Sequence, residues 1–438
     1  MNYESLSEST LAKISNKIGH FTILLSENEF DCIGVVRKEK EVVVLECELP
    51  VDIAKTIYYS EHPFRIIGHV SDIPVTLYKP YVKGYETSGM KPQKALLIVS
   101  SIYIVVGYAE KKGICVYNIN MSNSDINWFF LNHPINLHPL EGNTVIEKLD
   151  SLSTSDSIGS INIHQSISEG MTNKSAYIDT FTVLSCSFED GVDIESAVHR
   201  MASLRNLLAF FFDGYIPLEN MRISDKKEQK TAEDFIEYDL INTHPEKQSP
   251  QDRLFYINAD IIRNGFDQVW KKWSELYESA RPMTALFYGV ISGTSSGLNE
   301  FLNMSQALEV YSDRYRTATI RKNLNKSKKD KIHLSERLKD LIDLYNAHLG
   351  IIDTEKFANN LADIRNYYTH YNKRFKHEPE YEVVVSGSYI LRSILLLVVY
   401  SEIGIPSDKV SDAKRIGFLR DFDDYSKVVM GYDKSKLC

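Results

Sequence analysis

Between residues 20 and 190 the chain alternates hydrophobic and polar positions with a period of about two. Short runs rich in Val, Ile, Tyr and Thr recur there, separated by turn-forming pairs such as Lys112-Gly113. Such runs are typical of β-strands that pack one face inward and leave the other in water. The pattern predicts a sandwich or a curled antiparallel sheet.

The period becomes helical at Asp193. Up to Gly214, apolar residues recur at three- and four-residue steps, which predicts one amphipathic helix. A polar stretch from about Ser224 to Asp252 follows, and we predict that it is a linker. From Asp260 onward nearly every segment is helical in pattern, with predicted helices at 260–280, 282–292, 298–314, 334–348, 354–373 and 386–403.

These patterns predict an α+β protein in which a β-rich, sandwich-like N-terminal domain precedes an all-α helical bundle. The predicted domains are 1–190 (β-rich), 191–252 (a helix plus a polar linker) and 253–438 (α-helical). A hydrophobic fraction of 43% and a charged fraction of 25% are ordinary for a folded chain and argue against disorder.

Charge and cysteine content narrow the class of protein. The net charge of -9 excludes a uniformly basic nucleic-acid coat, but an enzyme acting on RNA depends on local charge. The five cysteines form no C-x-x-C pair, so neither a disulfide framework nor a thiolate zinc site is predicted. The polar start MNYESLSEST and the short apolar run Ile394–Val399 lead us to expect a soluble cytoplasmic protein without membrane partners.

The segment 354–373 carries the candidate chemistry. With Asp353 as its predicted N-cap, it forms an apolar stripe whose spacing is that of core packing: Phe357, Leu361, Ile364, Tyr368 and Tyr371. A polar ridge lies beside the stripe: Asp363, Asn366, Tyr367, His370 and Arg374. Arg365 lies about 140° around the helix from His370. Either the long Arg side chain or a second copy of the helix across a twofold axis must bring them together, and we favour the second copy.

Arg365, Asn366 and His370 suit RNA cleavage by general acid–base catalysis. The reaction removes a proton from the ribose 2′-OH and gives one to the departing 5′-oxygen, and imidazole can do both near neutral pH. A guanidinium can stabilise the negative charge that gathers on the phosphorane. Asn366 could orient the imidazole or a phosphate oxygen. The scheme needs no metal and no cofactor, and we expect neither.

The hexad R-N-Y-Y-T-H, Arg365 to His370, resembles the R-x4–6-H motif of HEPN-domain ribonucleases. The spacing alone is a weak signal, but in that family a polar residue follows the Arg, as Asn366 does here. FLNMSQALEVYSDRY (301–315) resembles the preceding helix of the family, which implies that Glu309 orients Arg365. SGSYILRSILLLVVYSEIGI (386–405) resembles the long helix that closes a HEPN-type bundle.

The front half is similar to the amino-terminal domain of ApeA-type proteins, in the segments FDCIGVVRKEKEVVVLECELP, FRIIGHVSDIPVTLYK and INWFFLN. ApeA-type proteins are bacterial anti-phage, abortive-infection proteins that end in a HEPN domain. The resemblance implies a metal-independent endoribonuclease, active as a homodimer or higher homo-oligomer, that leaves a 2′,3′-cyclic phosphate and a 5′-OH. It also implies that Arg365 and His370 are the catalytic pair, supported by Asn366. The candidate targets are tRNA and other structured RNAs, and the candidate trigger is a phage-encoded component; the resemblance specifies neither.

Two basic clusters could guide RNA to this site. From Arg314 to Lys331 eight Lys or Arg residues face a single acid, and a second cluster follows the hexad. The candidate RNA-binding residues are Arg321, Lys322, Lys328, Lys329, Lys373 and Arg374. A solvated loop is the alternative interpretation of the first cluster. Tyr367 could stack on a base.

The main alternative function is a non-catalytic HEPN-type module. In that case the bundle would dimerise, hold RNA or a protein, and sense a phage component without cleaving anything. Fold by itself cannot separate the two hypotheses. Salt-dependent RNA binding without any cleavage product would favour the binding module.

Overall fold

The computed structural model describes residues 6–39, 42–88, 93–123, 135–138, 143–146, 151–171, 176–211, 215–218, 220–227, 237–242, 262–263, 265–292, 297–370, 378–406, 409 and 419–432. Its contacts divide the chain into two compact units. The β unit consists of Met1–Ala202 and Pro217–Glu246, and the helical unit of Ser203–Ile216 and Lys247–Cys438. Each unit contains its own core.

The β unit contains helices α1 (Leu6–Ile14) and α2 (Val51–Tyr58) and the first part of α3 (Ile194–Ala209). Its strands are β1 (Ile18–Leu25), β2 (Asn28–Glu39), β3 (Val42–Pro50), β4 (Phe64–Val70), β5 (Ile73–Thr87), β6 (Lys94–Val106), β7 (Val116–Asn123), β8 (Ile135–His138), β9 (Asn143–Ile146), β10 (Leu152–Ser155), β11 (Gly159–Met171), β12 (Ala176–Val192), β13 (Met221–Ser224) and β14 (Tyr238–Asn242).

Strands β1 to β6 close into an antiparallel barrel. Their order is β6-β3-β2-β1-β4-β5, and β5 pairs back with β6. The barrel has an apolar core because inward positions alternate along each strand: on β1, Phe21 and Ile23 are buried, whereas His20 is exposed. In these six strands, the predicted alternation of hydrophobic and polar residues therefore corresponds to side chains that point into and out of a closed barrel.

The same sheet continues beyond the barrel from β6, in the order β6-β14-β13-β7-β12-β11-β10, and β8 and β9 form a separate two-stranded sheet. The α+β class is confirmed, and twelve of the fourteen described strands form the curled antiparallel sheet that was one of the two predicted arrangements. Strand β14 lies inside the stretch from Ser224 to Asp252 that its polar composition predicts to be a linker. Its Leu240 and Ile241 are buried, and its Asp239 accepts a hydrogen bond from Thr10 at 2.7 Å. The prediction that this whole stretch is a linker is therefore wrong, because Tyr238–Asn242 forms a strand of the sheet.

The helical unit contains α4 (Phe266–Ser279), α5 (Arg281–Ile291), α6 (Gly297–Tyr311), a π-helical turn (Ser312–Arg316), α7 (Thr317–Asn323), α8 (Leu334–Leu349), α9 (Thr354–His370), α10 (Tyr381–Ile403) and α11 (Phe422–Gly431). Each of the six helices predicted after Asp260 has a counterpart. The prediction did not include α7, because its basic residues suggested a loop.

Helix α10 is the central helix of this unit and contacts α4, α6, α8 and α11. It is long and apolar enough to cross a membrane, but 83% of its most apolar window is buried inside the fold, as in the core helix of a globular domain. Gly387 permits close packing on α6, because a Cβ at this position would lie 2.7 Å from the Phe301 ring.

The second part of α3 belongs to the helical unit. Trp273 donates its indole N–H to the Ser203 carbonyl at 2.9 Å, and the Phe210 ring stacks on Phe287 with centroids 4.1 Å apart. The Tyr400 hydroxyl donates to the Phe210 carbonyl. These buried aromatic contacts explain why Ser203–Ile216 separates from the β unit, although the sequence predicts no domain boundary within this helix.

Gly68 of β4 tests the tight packing of the barrel. A Cβ at residue 68 would lie 2.3 Å from the His20 carbonyl oxygen, a backbone atom that cannot rotate away. We expect Gly68→Ala to lower the free energy of unfolding of the β unit by about 3 kcal/mol, the cost of overpacking a core, in urea titrations. Gly84→Ala on β5 is the matched control, because nothing lies within 4 Å of the Cβ that alanine would add there. Equal losses in the two variants would contradict this packing.

Candidate active site

Helix α9 presents its polar ridge because its opposite side is buried. The buried residues are Phe357, Ala358, Leu361, Ala362 and Ile364. The helix begins as predicted, since the Asp353 carboxylate accepts a hydrogen bond from the Lys356 N–H at 2.9 Å. The Asn360 amide donates to the carbonyls of Val429 and Tyr432 at 2.8 and 3.2 Å. These contacts fix the rotation of α9 about its axis.

Three oxygen atoms surround the Arg365 guanidinium. Nη2 lies 3.3 Å from Glu309 Oε2 on α6, and Nη1 lies 3.4 Å from Asn366 Oδ1 and 3.5 Å from Thr369 Oγ1. Each distance is long for a hydrogen bond, so the contacts orient the side chain together rather than singly. The Arg365 side chain remains 23% exposed and is accessible to an anion. The Glu309 contact is the one that the HEPN resemblance implies.

His370 is the last residue of α9, and its side chain is exposed rather than packed in the core. Within the described residues its imidazole makes no hydrogen bond, and Arg365 bonds to Glu309, Asn366 and Thr369 instead. Arg365 and His370 are separated by about 140° around the helix, which explains why the two side chains do not meet within one chain. One chain thus offers an oriented guanidinium and an accessible imidazole without joining them in the part that the structure describes.

Asp363 and Tyr367, the ridge residues that we predict to support the catalytic pair, are both half-buried. The Tyr367 ring packs edge-on against Tyr368, with centroids 5.0 Å apart. The Tyr368 hydroxyl donates to the Pro379 carbonyl at 3.3 Å, and burial, with a hydrogen bond to Glu378, raises the pKa of Tyr368 above its ordinary value. Tyr368 is therefore a neutral packing residue, whereas Tyr367 keeps part of its surface in solvent.

The π-helical turn directly after α6 follows Glu309 by one helical turn. Arg316, at its end, makes a two-point ion pair with Asp340 of α8, at 2.8 and 3.1 Å. At its start, the Tyr311 hydroxyl donates to Glu402 at 2.5 Å, and burial together with this bond raises the pKa of Tyr311. Such turns often occur at functional sites. No local sequence signal predicted it, because its partners come from two distant helices.

The first basic cluster divides into structural and exposed residues. Arg321 donates to the carbonyls of Ser327 and Asp330, the latter at 2.9 Å, so its guanidinium folds the turn after α7. Lys326 likewise pairs with Glu336 at 2.6 Å. Five side chains of this cluster are exposed: Arg314, Lys322, Lys328, Lys329 and Lys331. Lys373 and Arg374 lie outside the described residues, as does Tyr371.

Two family models match the chain. The model for Apea-like HEPN matches residues 302–409, which include Glu309 and the whole of α9. The helical unit therefore carries a HEPN domain. The model for ApeA N-terminal domain 1 matches residues 16–273, more than half of the chain. The chain belongs to the ApeA family. No curated protein and no solved structure matches it.

Proposed function

We propose that this protein is an endoribonuclease of bacterial anti-phage defence that cleaves RNA at a site built around Arg365 and His370. One observation carries the proposal: Glu309 and Asn366 orient the Arg365 guanidinium at the same helix end that exposes His370. The HEPN match covers all of these residues. The membership of the ApeA family supports the defence role.

In the proposed reaction the His370 imidazole accepts the proton of the ribose 2′-OH or donates one to the leaving 5′-oxygen. The Arg365 guanidinium binds the non-bridging oxygens of the scissile phosphate and stabilises the charge of the transition state. Attack of the 2′-oxygen on phosphorus breaks the bond to the 5′-oxygen, so the products end in a 2′,3′-cyclic phosphate and a 5′-OH. Asn366 holds the guanidinium, and no metal takes part.

We further propose that the protein acts as a homodimer. Arg365 and His370 lie on different sides of α9 and, within the described residues, share no hydrogen bond. A twofold axis beside α9 would place Arg365 of one chain opposite His370 of the other. The remaining proposals are a cytoplasmic location, tRNA as a substrate, and release of the activity when the β unit recognises a phage product.

The second candidate is a non-catalytic module that binds RNA or protein. Two observations favour this candidate if no dimer forms. Arg365 and His370 are separated within one chain, and three lysines are exposed: Lys322, Lys328 and Lys329. Salt-dependent RNA binding without a product would support this candidate.

Cleavage of tRNA by the purified protein in EDTA tests the enzymatic proposal. We expect His370→Ala and Arg365→Ala each to reduce the rate by about 10²–10⁴, because each removes a group that acts in the transition state. Lys356→Ala, exposed at the other end of α9, should leave the rate unchanged. Cleavage that persists in both site variants would refute the assignment.

Expression in phage-challenged cells provides a parallel test. Cells that express the wild type should be protected, and cells that express His370→Ala should not.

Mixing the two inactive variants tests the dimeric site. If Arg365 and His370 act across the twofold axis, an Arg365→Ala chain paired with a His370→Ala chain retains one intact site of two. Random pairing makes half of the dimers mixed, so we expect equal mixing to restore about a quarter of the wild-type rate. Each variant alone should stay inactive. A site formed within one chain predicts no recovery at any mixing ratio.

The exposed lysines after α7 should contribute to RNA affinity. Lys328→Ala combined with Lys329→Ala should weaken RNA binding. The slope of log Kd against log salt should fall by about 0.7 for each phosphate of a single strand that the variant no longer neutralises. Lys427→Ala on α11 is the control, because Lys427 is exposed but pairs with Asp424 at 2.9 Å. An unchanged slope in the double variant would make this cluster a solvated loop.

A further inference from the structure

The outer surface of the barrel holds a cavity of about 570 Å³, which we call the barrel cavity. It is lined by side chains and backbone of His20, Phe21, Thr22, Asp31, Cys32, Ile33, Glu48, Ile67, Gly68, His69, Lys94 and Ala109. Ala109 belongs to the segment after β6, which is tied down where Arg65 donates to the Lys111 carbonyl at 2.7 Å and Lys111 pairs with Glu29 at 2.6 Å. The proposed RNA site, in the other unit, does not use any of these residues.

His20 and His69 lie side by side in this cavity. They are direct partners in the antiparallel ladder between β1 and β4, and both side chains are exposed on the outer face. Cβ atoms of such partners lie about 4.5–5.5 Å apart. Two imidazoles at this separation can bind one ion at the usual metal–nitrogen distance of about 2.0–2.1 Å. The ladder pairing therefore puts both side chains within reach of a single ion.

The register that pairs the two histidines cannot slip easily. The neighbouring pair is Phe21 with Gly68, and the Phe21 ring occupies the space beside Gly68, where a Cβ would lie 2.5 Å from Phe21 Cδ1. A shift by one residue would turn Phe21 out of the core and the histidines into it. The barrel core thus holds the two imidazoles next to each other before any ligand binds, which reduces the cost of chelation.

The charge of the barrel cavity favours a cation. Its lining has two carboxylates, Asp31 and Glu48, against one ammonium, Lys94. The Thr22 hydroxyl fixes Asp31 at 2.7 Å, and Lys94 lies 3.1 Å from Glu48, so Asp31 is the carboxylate without a cationic partner among the described residues. The carboxylates outnumber the ammonium group, and this excess of negative charge repels phosphate and attracts a metal ion.

We propose that His20 and His69 bind one divalent transition-metal ion, such as Zn²⁺ or Ni²⁺, through one imidazole nitrogen each. Imidazole is a preferred ligand of these ions. Within the described residues no group of three or more His, Cys, Asp or Glu side chains could hold a metal, so water completes the coordination and Asp31 acts through it. The site is open and independent of the proposed ribonuclease.

Titration calorimetry of the untagged full chain with Ni²⁺ and Zn²⁺ tests the proposal. We expect one ion per chain, and a loss of affinity of about 100-fold or more in His20→Ala or His69→Ala, because the second ligand of a chelate binds intramolecularly. His62→Ala, an exposed histidine outside the cavity, should bind as the wild type does. No binding by the wild type, or equal losses in all three variants, would overturn the site.

Two further measurements keep the result interpretable. Electron paramagnetic resonance of the Cu²⁺-loaded chain should show coupling to two nitrogens, reduced to one in either cavity variant; no nitrogen coupling would also overturn the proposal. Circular dichroism and thermal unfolding without metal check that the variants fold, and His20→Gln and His69→Gln replace any that do not. Cleavage of RNA in EDTA should be the same in these variants, so failure of the metal site and failure of the ribonuclease are distinguishable.

Discussion

Burial of one side of α9 is the constraint on which the candidate site depends. Phe357, Leu361 and Ile364 are fully buried in the helical unit. Because side chains follow one another by about 100° along a helix, burying this stripe determines which residues meet solvent. Arg365 and His370 then lie on the solvent-facing side of the helix, and neither has to stabilise the fold. The same apolar contacts that hold the bundle together thus orient the residues of the candidate site.

The ion pair between Glu309 and Arg365 orients a side chain without adding much to the stability of the fold. Glu309 is 39% exposed and the contact is 3.3 Å long, so the pair contributes little to stability, under about 1 kcal/mol. Its effect is to select one direction of a long, flexible side chain. By contrast, the more buried pair of Arg316 with Asp340, where Asp340 is only 10% exposed, fixes the π-helical turn. The backbone that carries Glu309 is therefore held by a different set of charges from those at the site.

An acidic net charge is compatible with a local basic cluster, because some of the basic side chains form structural contacts and others face solvent. Arg321 donates to carbonyl groups of the turn after α7 and Lys326 pairs with Glu336 of α8, while Lys328 and Lys329 extend into solvent. In the β unit the barrel interior is filled by apolar side chains, so polar side chains collect on its outer face, where the barrel cavity lies. Closure of the barrel thus creates both a core and a polar outer surface.

The sequence by itself determined the elements and their faces: the period of two before residue 190, the six later helices, the Asp353 cap and the apolar stripe of α9. These follow from local periodicity, which neighbouring residues encode. Only the tertiary structure decided barrel closure, the β14 strand, the π-helical turn and the use of Arg321 within its own turn. These depend on partners far along the chain, as when Thr10 bonds to Asp239 across 229 positions, and no local pattern records such pairings.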